Sequence, residues 1–202
     1  MEGPRRADEI VQVAARLFYE RGYASVSTRA LAQAVGIQGG SLYHHFSSKE
    51  EILYRITQYG SEGFFVELQP ILTGPGTFTE RLTAFVRTYL ERSHERRYPI
   101  AVLFRDAGNL SPEHADELRL VRRRYQQAVQ RFLAAGVTAG EFAVPDPNLA
   151  GIAVLDLLKG VDGWVRPSGR LDFGGVADTY ATLILQMVGA AKPTSSKKAK
   201  VS

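Results

Sequence analysis

Apolar residues recur at helical spacing along almost the whole chain, and this periodicity restricts the fold more than any other feature of the sequence. Near the start, the stripe formed by residues three and four apart consists of Ile10, Val13, Ala14, Leu17 and Phe18. A glycine follows at position 22, where a helix of this length ends. No segment alternates apolar and polar residues as a half-buried strand does. The pattern predicts an all-α protein of about nine helices, with three short helices in residues 1–47 and a larger helical body after them.

Side chains able to cap a helix predict where the next helices begin. Ser27 precedes the short pattern "TRALAQAV", and Ser48 precedes a helix that runs from about residue 49 towards residue 72. Thr77 has a glutamate three residues on, which is the spacing of a capping box. Later capping candidates are Ser111, Asp146 and Asp172, which open helical patterns at about 112–139, 147–166 and 174–190.

Composition excludes several classes of protein. The chain has 202 residues, enough for one or two domains, and no cysteine, so disulfides, thiolate catalysis and cysteine-ligated zinc are excluded. No apolar run approaches the roughly 18 residues of a membrane span, so no membrane partner is expected. The opening "MEGPRRADEI" lacks the apolar core of a secretory signal, and the sequence therefore predicts a cytoplasmic protein.

The net charge of +4 does not indicate a basic groove. All of the excess lies in residues 192–202, which carry Lys192, Lys197, Lys198 and Lys200 and no acid, so the rest of the chain is balanced. The serine, lysine and alanine content of this segment predicts a disordered, solvated basic tail.

The sequence predicts no catalytic residue, no metal site and no bound cofactor. Neighbouring residues on a helix point about 100° apart, so His44 and His45 cannot readily share one ion. Glu91 and His94 have the spacing of a di-iron helix, but such a site needs a second Glu-x-x-His helix, which the sequence lacks. Nucleophile elbows, phosphate-binding loops and dinucleotide fingerprints are also missing. We therefore do not expect an enzyme.

The stretch "GGSLYHHF" at residues 39–46 has the pattern of a helix with two different faces. Helical spacing places Leu42, His45 and Phe46 on an inner side. It places Tyr43 and His44 with Gly40 on another side, where two successive glycines allow close approach of another molecule. Taken alone, this octet fits a contact surface and an ordinary surface equally well.

The spacing to the preceding helix decides between these two interpretations. A helix at 28–35, a short turn containing Gly36 and a second short helix form a helix-turn-helix. In that motif the second helix enters the major groove of DNA, and the start of the first helix faces the phosphates. Thr28 and Arg29 stand at that start, where a hydroxyl and a guanidinium suit phosphates or base edges.

The segment "IVQVAARLFYERGYASVSTRALAQAVGIQGGSLYHHFSSKEEIL" resembles the DNA-binding domain of the tetracycline-repressor (TetR) family over about residues 8–55. The resemblance implies a helix-turn-helix domain at 1–48, a helical ligand-binding and dimerisation domain at 49–191, and a homodimer on palindromic double-stranded operator DNA. By position, the residues that match phosphate contacts of the family are Thr28, Tyr43, His45 and Lys49. Those that match its base-reading region are Arg29, Gln38, Gly39, Gly40, Ser41 and His44.

Two positions depart from the family's pattern. Gly39 stands where many relatives carry lysine or another polar residue, and Gln38 stands where serine often caps the helix. Loss of a side chain at 39 removes one possible base contact. The resemblance then implies that Gln38, Ser41 and His44 carry more of the sequence readout.

Apolar stripes on the last two helical patterns predict a homodimer interface. One stripe consists of Val154, Leu155, Leu158 and Val161, and the other of Val176, Tyr180, Leu183, Ile184 and Met187. Two long amphipathic helices at the end of a chain suit a four-helix interface between two copies. Packing within one chain explains the same stripes, and the dimer is preferred because the resembled family dimerises there.

Aromatic residues spread over the central helices predict a pocket for a small hydrophobic effector. Residues 119–171 are loosely similar to family members that respond to acyl-CoA thioesters, which makes an acyl-CoA the expected effector. The candidate ligand-binding residues are Phe64, Phe85, Tyr89, Phe104, Arg105, Arg123, Tyr125 and Phe132. The predicted function is that of a ligand-responsive repressor. The alternative is a helical small-molecule carrier or enzyme without specific DNA binding, which would not need the pattern of residues 27–49.

Overall fold

A computed structural model describes residues 3–165 and 172–190, and all regular structure within these ranges is helical. The nine α-helices of the described residues are α1 (Gly3–Arg21), α2 (Thr28–Val35), α3 (Gly39–Tyr43), α4 (Lys49–Thr73), α5 (Phe78–Glu95), α6 (Arg97–Asp106), α7 (Pro112–Thr138), α8 (Pro147–Trp164) and α9 (Phe173–Met187). A single 3₁₀ turn, Ala107–Asn109, joins α6 to α7. The all-α prediction and its helix number are confirmed.

The predicted capping residues start their helices. Ser27 and Ser48 accept hydrogen bonds from the first turns of α2 and α4, and Thr77 forms a complete capping box with Glu80. The later candidates are also N-caps: Ser111 for α7, Asp146 for α8 and Asp172 for α9. These starts could be predicted because a capping side chain satisfies donors only two or three residues away.

Two helix boundaries differ from the prediction. The third helix ends at Tyr43 and not at residue 46, because the chain leaves the helix in a turn that buries Phe46. The start of α6 was not predicted, because the sequence contains no helix-boundary signal before it. Arg96 ends α5 and begins α6 without a glycine or a capping side chain, so the sequence pattern runs on without interruption.

The helix α4 belongs to both apolar cores of the molecule. Its first half contributes Ile52, Leu53 and Ile56 to a core built with α1–α3, α6 and the start of α7. Its second half contributes Phe64 and Leu68 to the larger core of α5 and α7–α9. The domain boundary after residue 48 stays a prediction, and α4 is the element through which the two cores are joined.

The predicted interface stripes on α8 and α9 lie largely inside one chain. Each of Val154, Leu158, Val161 and Ile184 has an exposed fraction of 0%, and Val176 is also buried. These residues face α5 and α7, and their assignment to a dimer interface is wrong because they complete the chain's own core. The large apolar side chains that α8 and α9 leave exposed are Leu149, Ile152, Leu157, Trp164, Leu183 and Met187.

Some predictions fall outside what the structure describes. The predicted tail at 192–202 lies beyond residue 190, the last described residue. No helix in the described ranges is long and apolar enough to cross a membrane.

Candidate nucleic-acid interface and effector cavity

A tight turn sets α3 against α2. Gly36 adopts the left-handed conformation, with φ of +74°, which a residue without a Cβ adopts at little cost. Its N–H donates to carbonyls of the last turn of α2, and the N–H of Ile37 donates to the carbonyl of Ala32 at 2.9 Å. These hydrogen bonds end α2 at Val35 and reverse the direction of the chain before α3.

The short helix α3 is held by two buried side chains. Leu42 is 1% exposed and Phe46 is 3% exposed, and both pack into the core formed with α1, α2 and α4. The backbone N–H groups of His45 and Phe46 both donate to the carbonyl of Leu42. A five-residue helix is too short to be stable alone, so this packing fixes its orientation.

The opposite side of α3 carries an exposed aromatic hydroxyl and an imidazole. Tyr43 is 57% exposed, and its hydroxyl donates to the hydroxyl of Thr28 at 3.4 Å, which joins the end of α3 to the start of α2. His44 and Arg29 are exposed on the same pair of helices. The remaining predicted DNA residues of this segment are Gln38, Gly39 and Gly40, which are exposed, and Ser41 and His45, which are half-buried.

Lys49 anchors the first turn of α4 to the segment before α2. Its ammonium group donates to the carbonyls of Tyr23 at 2.7 Å and Val26 at 2.8 Å, and lies 4.1 Å from the centre of the Tyr23 ring. Partial burial lowers the pKa of Lys49. Two of its three N–H groups are therefore committed inside the chain, and the third makes no hydrogen bond to a described residue.

An apolar cavity of about 150 Å³ lies among α4, α5, α6, α7 and α8. Four of the eight predicted ligand-binding residues line it: Phe64, Tyr89, Phe104 and Tyr125. At its edge Lys159 places its ammonium group 4.4 Å from the centre of the Phe104 ring. The other charged lining residues are Arg122 and Asp156.

The other four predicted ligand-binding residues do not line this cavity. Phe85 and Phe132 are buried in the surrounding core. Arg105 donates to the backbone carbonyls of Phe18 and Tyr19 and so ties α6 to α1. Arg123 lies exposed on α7, one residue from the lining Arg122. Lining residues that the sequence reasoning missed include Gly60, Ser61, Ile100, Leu103, Gln126 and Ile152, whose convergence from separate helices leaves no local signal.

A polar cluster, formed by Glu50 and Tyr54 of α4 with His114 and Glu117 of α7, joins the first turns of these two helices. We call it the α4–α7 cluster. The Glu50 carboxylate lies 2.9 Å from His114 Nδ1 and accepts the backbone N–H of Ser111 at 2.9 Å. The rings of Tyr54 and His114 stack with their centres 3.7 Å apart.

The Tyr54 hydroxyl completes the α4–α7 cluster by donating to Glu117. Burial and the Glu117 carboxylate raise the pKa of Tyr54 to about 12, so its hydroxyl keeps the proton that it donates. The start of α4 is thus bonded to α7 at three points, through Ser111, His114 and Glu117.

Comparison with known proteins places the two halves of the chain in one family. Residues 10–56 match the family described as bacterial regulatory proteins, tetR family. Residues 75–188, more than half of the chain, match the tetracyclin repressor-like C-terminal domain. The chain belongs to the TetR family. It is therefore a transcription regulator with a helix-turn-helix DNA-binding domain, as the sequence predicts.

TetR-family proteins of known name or structure resemble the chain over nearly its whole length. The transcriptional repressor KstR2 of Rhodococcus jostii is 30% identical over 190 residues, which are 93% of this chain and 92% of the relative. The crystal structure of PfmR from Thermus thermophilus has a TM-score of 0.82 and 35% identity, covering 88% of this chain and 97% of PfmR. AibR, solved with isovaleryl coenzyme A and operator DNA, has a TM-score of 0.81 at 22% identity, covering 92% of this chain and 100% of AibR. At that identity AibR supports the fold alone.

Proposed function

We propose that this chain is a repressor that binds a palindromic operator as a homodimer and is released by a small hydrophobic effector such as an acyl-CoA. The observation that carries the proposal is α4, a single 25-residue helix that enters the core of the helix-turn-helix and also forms one wall of the aromatic cavity. A ligand that displaces this wall also displaces the DNA-binding unit, because the same continuous helix belongs to both.

The exposed side of α2 and α3 divides into two kinds of DNA contact. The phosphate contacts are the adjacent hydroxyl groups of Thr28 and Tyr43, with the remaining N–H of Lys49 and the His45 imidazole. On DNA the Tyr43 hydroxyl donates its hydrogen bond to a phosphate oxygen in place of Thr28. Such contacts orient the protein on any sequence. Base edges are read by the exposed Arg29, Gln38, Gly39, Gly40 and His44 together with the half-buried Ser41.

The proposed effector combines a short apolar group with an anionic part. The apolar group enters the cavity, and the phosphates of a coenzyme A thioester meet Arg122 and Lys159 at its edge, where Asp156 offsets one of the two positive charges. The AibR complex with isovaleryl coenzyme A motivates the choice of a short acyl group. Arg122 and Lys159 replace Arg105 and Arg123 in this role, because Arg105 is committed to α1.

Apolar side chains that are exposed on a single chain form the proposed homodimer face. On α9, Leu183 is 51% exposed and Met187 is 37% exposed, and both lie on one side of the helix with Tyr180. On α8, Trp164 stacks on Tyr180, and Leu157 lies seven residues before Trp164. Two such faces related by a two-fold axis bury the same residues on both copies.

A DNA-binding titration tests the proposed function. Fluorescence anisotropy with the DNA upstream of the protein's own coding region, at a stated salt concentration, should show binding that exceeds binding to random DNA by at least about 10³-fold. Isovaleryl coenzyme A should release the complex, whereas coenzyme A alone and free isovalerate should do so weakly. If a folded dimer binds upstream and random DNA equally tightly, the repressor proposal is rejected and a small-molecule carrier is favoured. Equal release by the free acid rejects the acyl-CoA and leaves a lipophile sensor.

Tyr43→Phe and His44→Ala should separate affinity from specificity. The first removes a hydroxyl that serves phosphates, so binding to operator and random DNA should weaken together by about 0.5–1.5 kcal/mol. The second should reduce the preference at one operator position by about 1 kcal/mol, since an imidazole makes one base contact where a bidentate pair makes two. Anisotropy titrations with operator variants and random DNA measure both. If His44→Ala weakens binding to operator and to random DNA by the same factor, His44 does not read a base.

Gly40→Ala should leave the protein folded and weaken its operator complex. A Cβ built on Gly40 meets no atom within 4 Å, so the chain itself leaves room for it, and alanine favours a helix by up to about 1 kcal/mol. We expect the urea midpoint to stay or rise while operator affinity falls, because the added methyl group faces the DNA. Gly63→Ala on α4, which also meets no atom within 4 Å, is the matched control and should keep full affinity. Unchanged affinity in Gly40→Ala would show that the DNA does not approach this backbone closely.

A further inference from the structure

One buried polar atom in the cavity wall has no partner. The hydroxyl oxygen of Tyr125, on α7, is buried, and it makes no hydrogen bond to any described residue. The ring is held in place by edge contacts, 5.4 Å from Phe65 and 6.5 Å from Phe64 between ring centres. Tyr125 cannot turn its hydroxyl to solvent without breaking this packing.

An unpaired buried hydroxyl destabilises the conformation that contains it. Nearly all buried polar groups in folded proteins have a hydrogen-bond partner, so an exception calls for a physical explanation. Burial raises the pKa of Tyr125 well above its ordinary value, and the group therefore stays a neutral phenol with a proton to donate. The wall of this cavity holds a hydrogen-bond donor that nothing in the described chain uses.

The size and lining of the cavity restrict what can use this donor. A volume of about 150 Å³ accommodates a benzene-sized group, and the surrounding Phe64, Ile100 and Leu103 favour an apolar one. A hydrocarbon would fill the space and leave the Tyr125 hydroxyl unpaired. A ring or short branched chain that carries a carbonyl or ether oxygen would fill the space and accept a hydrogen bond from this hydroxyl.

We propose that Tyr125 is a recognition residue for an effector whose buried part is a compact apolar group bearing a hydrogen-bond acceptor oxygen. This inference rests on the proposed effector role of the cavity. The Tyr125 oxygen is itself buried, so a ligand reaches it only when the wall formed by α4 and α7 shifts. The bond therefore forms in the liganded conformation and not in the empty one, and this difference in free energy favours the liganded conformation.

Two probes test this proposal, cyclohexanone and methylenecyclohexane. They have the same ring, but the first carries a C=O group where the second carries C=CH₂. Ligand-observed NMR titrations of the full-length protein should give cyclohexanone a preference of about three- to tenfold, the effect of one neutral hydrogen bond. Tyr125→Phe removes a single oxygen atom and should abolish this preference. Tyr19→Phe, which alters a 44% exposed phenol on α1, is the matched control and should retain it.

Stability supplies a second measurement. Removing a paired buried hydroxyl normally destabilises a protein, but removing an unpaired one relieves its desolvation. We expect Tyr125→Phe to raise the urea midpoint of the empty protein with an unchanged slope. A lowered midpoint would show that the hydroxyl is paired in solution, by a water molecule for example, and would overturn the proposal.

The remaining outcomes are also decisive. A preference for cyclohexanone that persists in Tyr125→Phe, or failure of both rings to bind at millimolar concentration, overturns the assignment of Tyr125. These measurements contain no DNA, so they can fail while specific operator binding and its release by isovaleryl coenzyme A still hold. Conversely, a Tyr125-dependent preference in a protein that binds no operator would support the recognition residue and reject the repressor.

Discussion

Leu183→Glu is expected to convert the proposed homodimer into a monomer and to remove specific operator binding. Fully burying an exposed leucine contributes about 1.5–3 kcal/mol, and Leu183 is 51% exposed, so each copy gains about half of this value at the interface. Because a two-fold interface contains the residue twice, the variant weakens dimerisation by about 1.5–3 kcal/mol, roughly one to two powers of ten, before the repulsion between the two new carboxylates is added. A palindromic operator needs two recognition helices held one DNA turn apart, about 34–36 Å, which a monomer cannot supply.

Leu120→Glu on α7 is the matched control for this experiment. Leu120 is 49% exposed and Leu183 is 51% exposed, so the two substitutions remove the same side chain from surfaces of the same accessibility. Light scattering after size exclusion should give a dimer for the control and a monomer for Leu183→Glu, with both folded by circular dichroism. A dimeric Leu183→Glu protein would place the interface elsewhere than on the exposed side of α9.

The helix-turn-helix could be predicted from the sequence because its determinants are local. Ser27 caps α2 through a bond to the N–H of Ala30, three residues away, and Gly36 ends the same helix through bonds to its last turn. Leu42 and Phe46 could be assigned to the core because their spacing places them on one side. For the same reason Tyr43 and His44 could be assigned to the surface.

The effector cavity could be predicted only in part, because its wall comes from five helices. Periodicity shows that a residue such as Phe85 or Phe64 faces inward, but it does not show whether the space opposite is filled. Phe85 meets other core side chains, whereas Phe64 faces the cavity. The buried members of the α8 and α9 stripes failed as interface residues for a related reason. An apolar stripe such as that of Val154 and Leu158 packs equally well against the same chain or a second copy.

The α4–α7 cluster is entirely non-local and had no sequence signal. Glu50 and His114 are 64 positions apart, and their contact follows from the packing of α4 against α7. Its position gives it a consequence for DNA binding. It fixes the first turns of α4, which pack on α1–α3, to the helix that also forms a cavity wall. The cluster therefore limits the range of tilt that α4 can adopt.

His114→Ala is expected to weaken operator binding by about 10- to 150-fold without altering any residue that faces DNA. The change removes the contact with the Glu50 carboxylate and the stacking on Tyr54, so α4 samples tilts in which the two recognition helices no longer match the operator. Apparent affinity falls in proportion to the operator-competent fraction. A hydrogen bond to a charged group contributes about 1.5–3 kcal/mol, which sets this range. The side chains of Glu50 and His114 are each one-quarter exposed, and solvent weakens their interaction, so we expect an affinity loss near the lower end of this range.

His94→Ala is the matched control for the cluster, because it removes a half-buried histidine of α5 whose ring packs on Phe173 of α9. Anisotropy titrations should show the loss for His114→Ala alone, on operator and random DNA, since the whole DNA-binding unit is misplaced. Hydrogen exchange should accelerate at residues 49–56 in the same variant, which a simple loss of a DNA contact would not produce. If His114→Ala keeps both full affinity and slow exchange, α4 is held by its apolar packing alone. The proposed coupling between the cavity and the DNA-binding unit would then depend on α4 without this cluster.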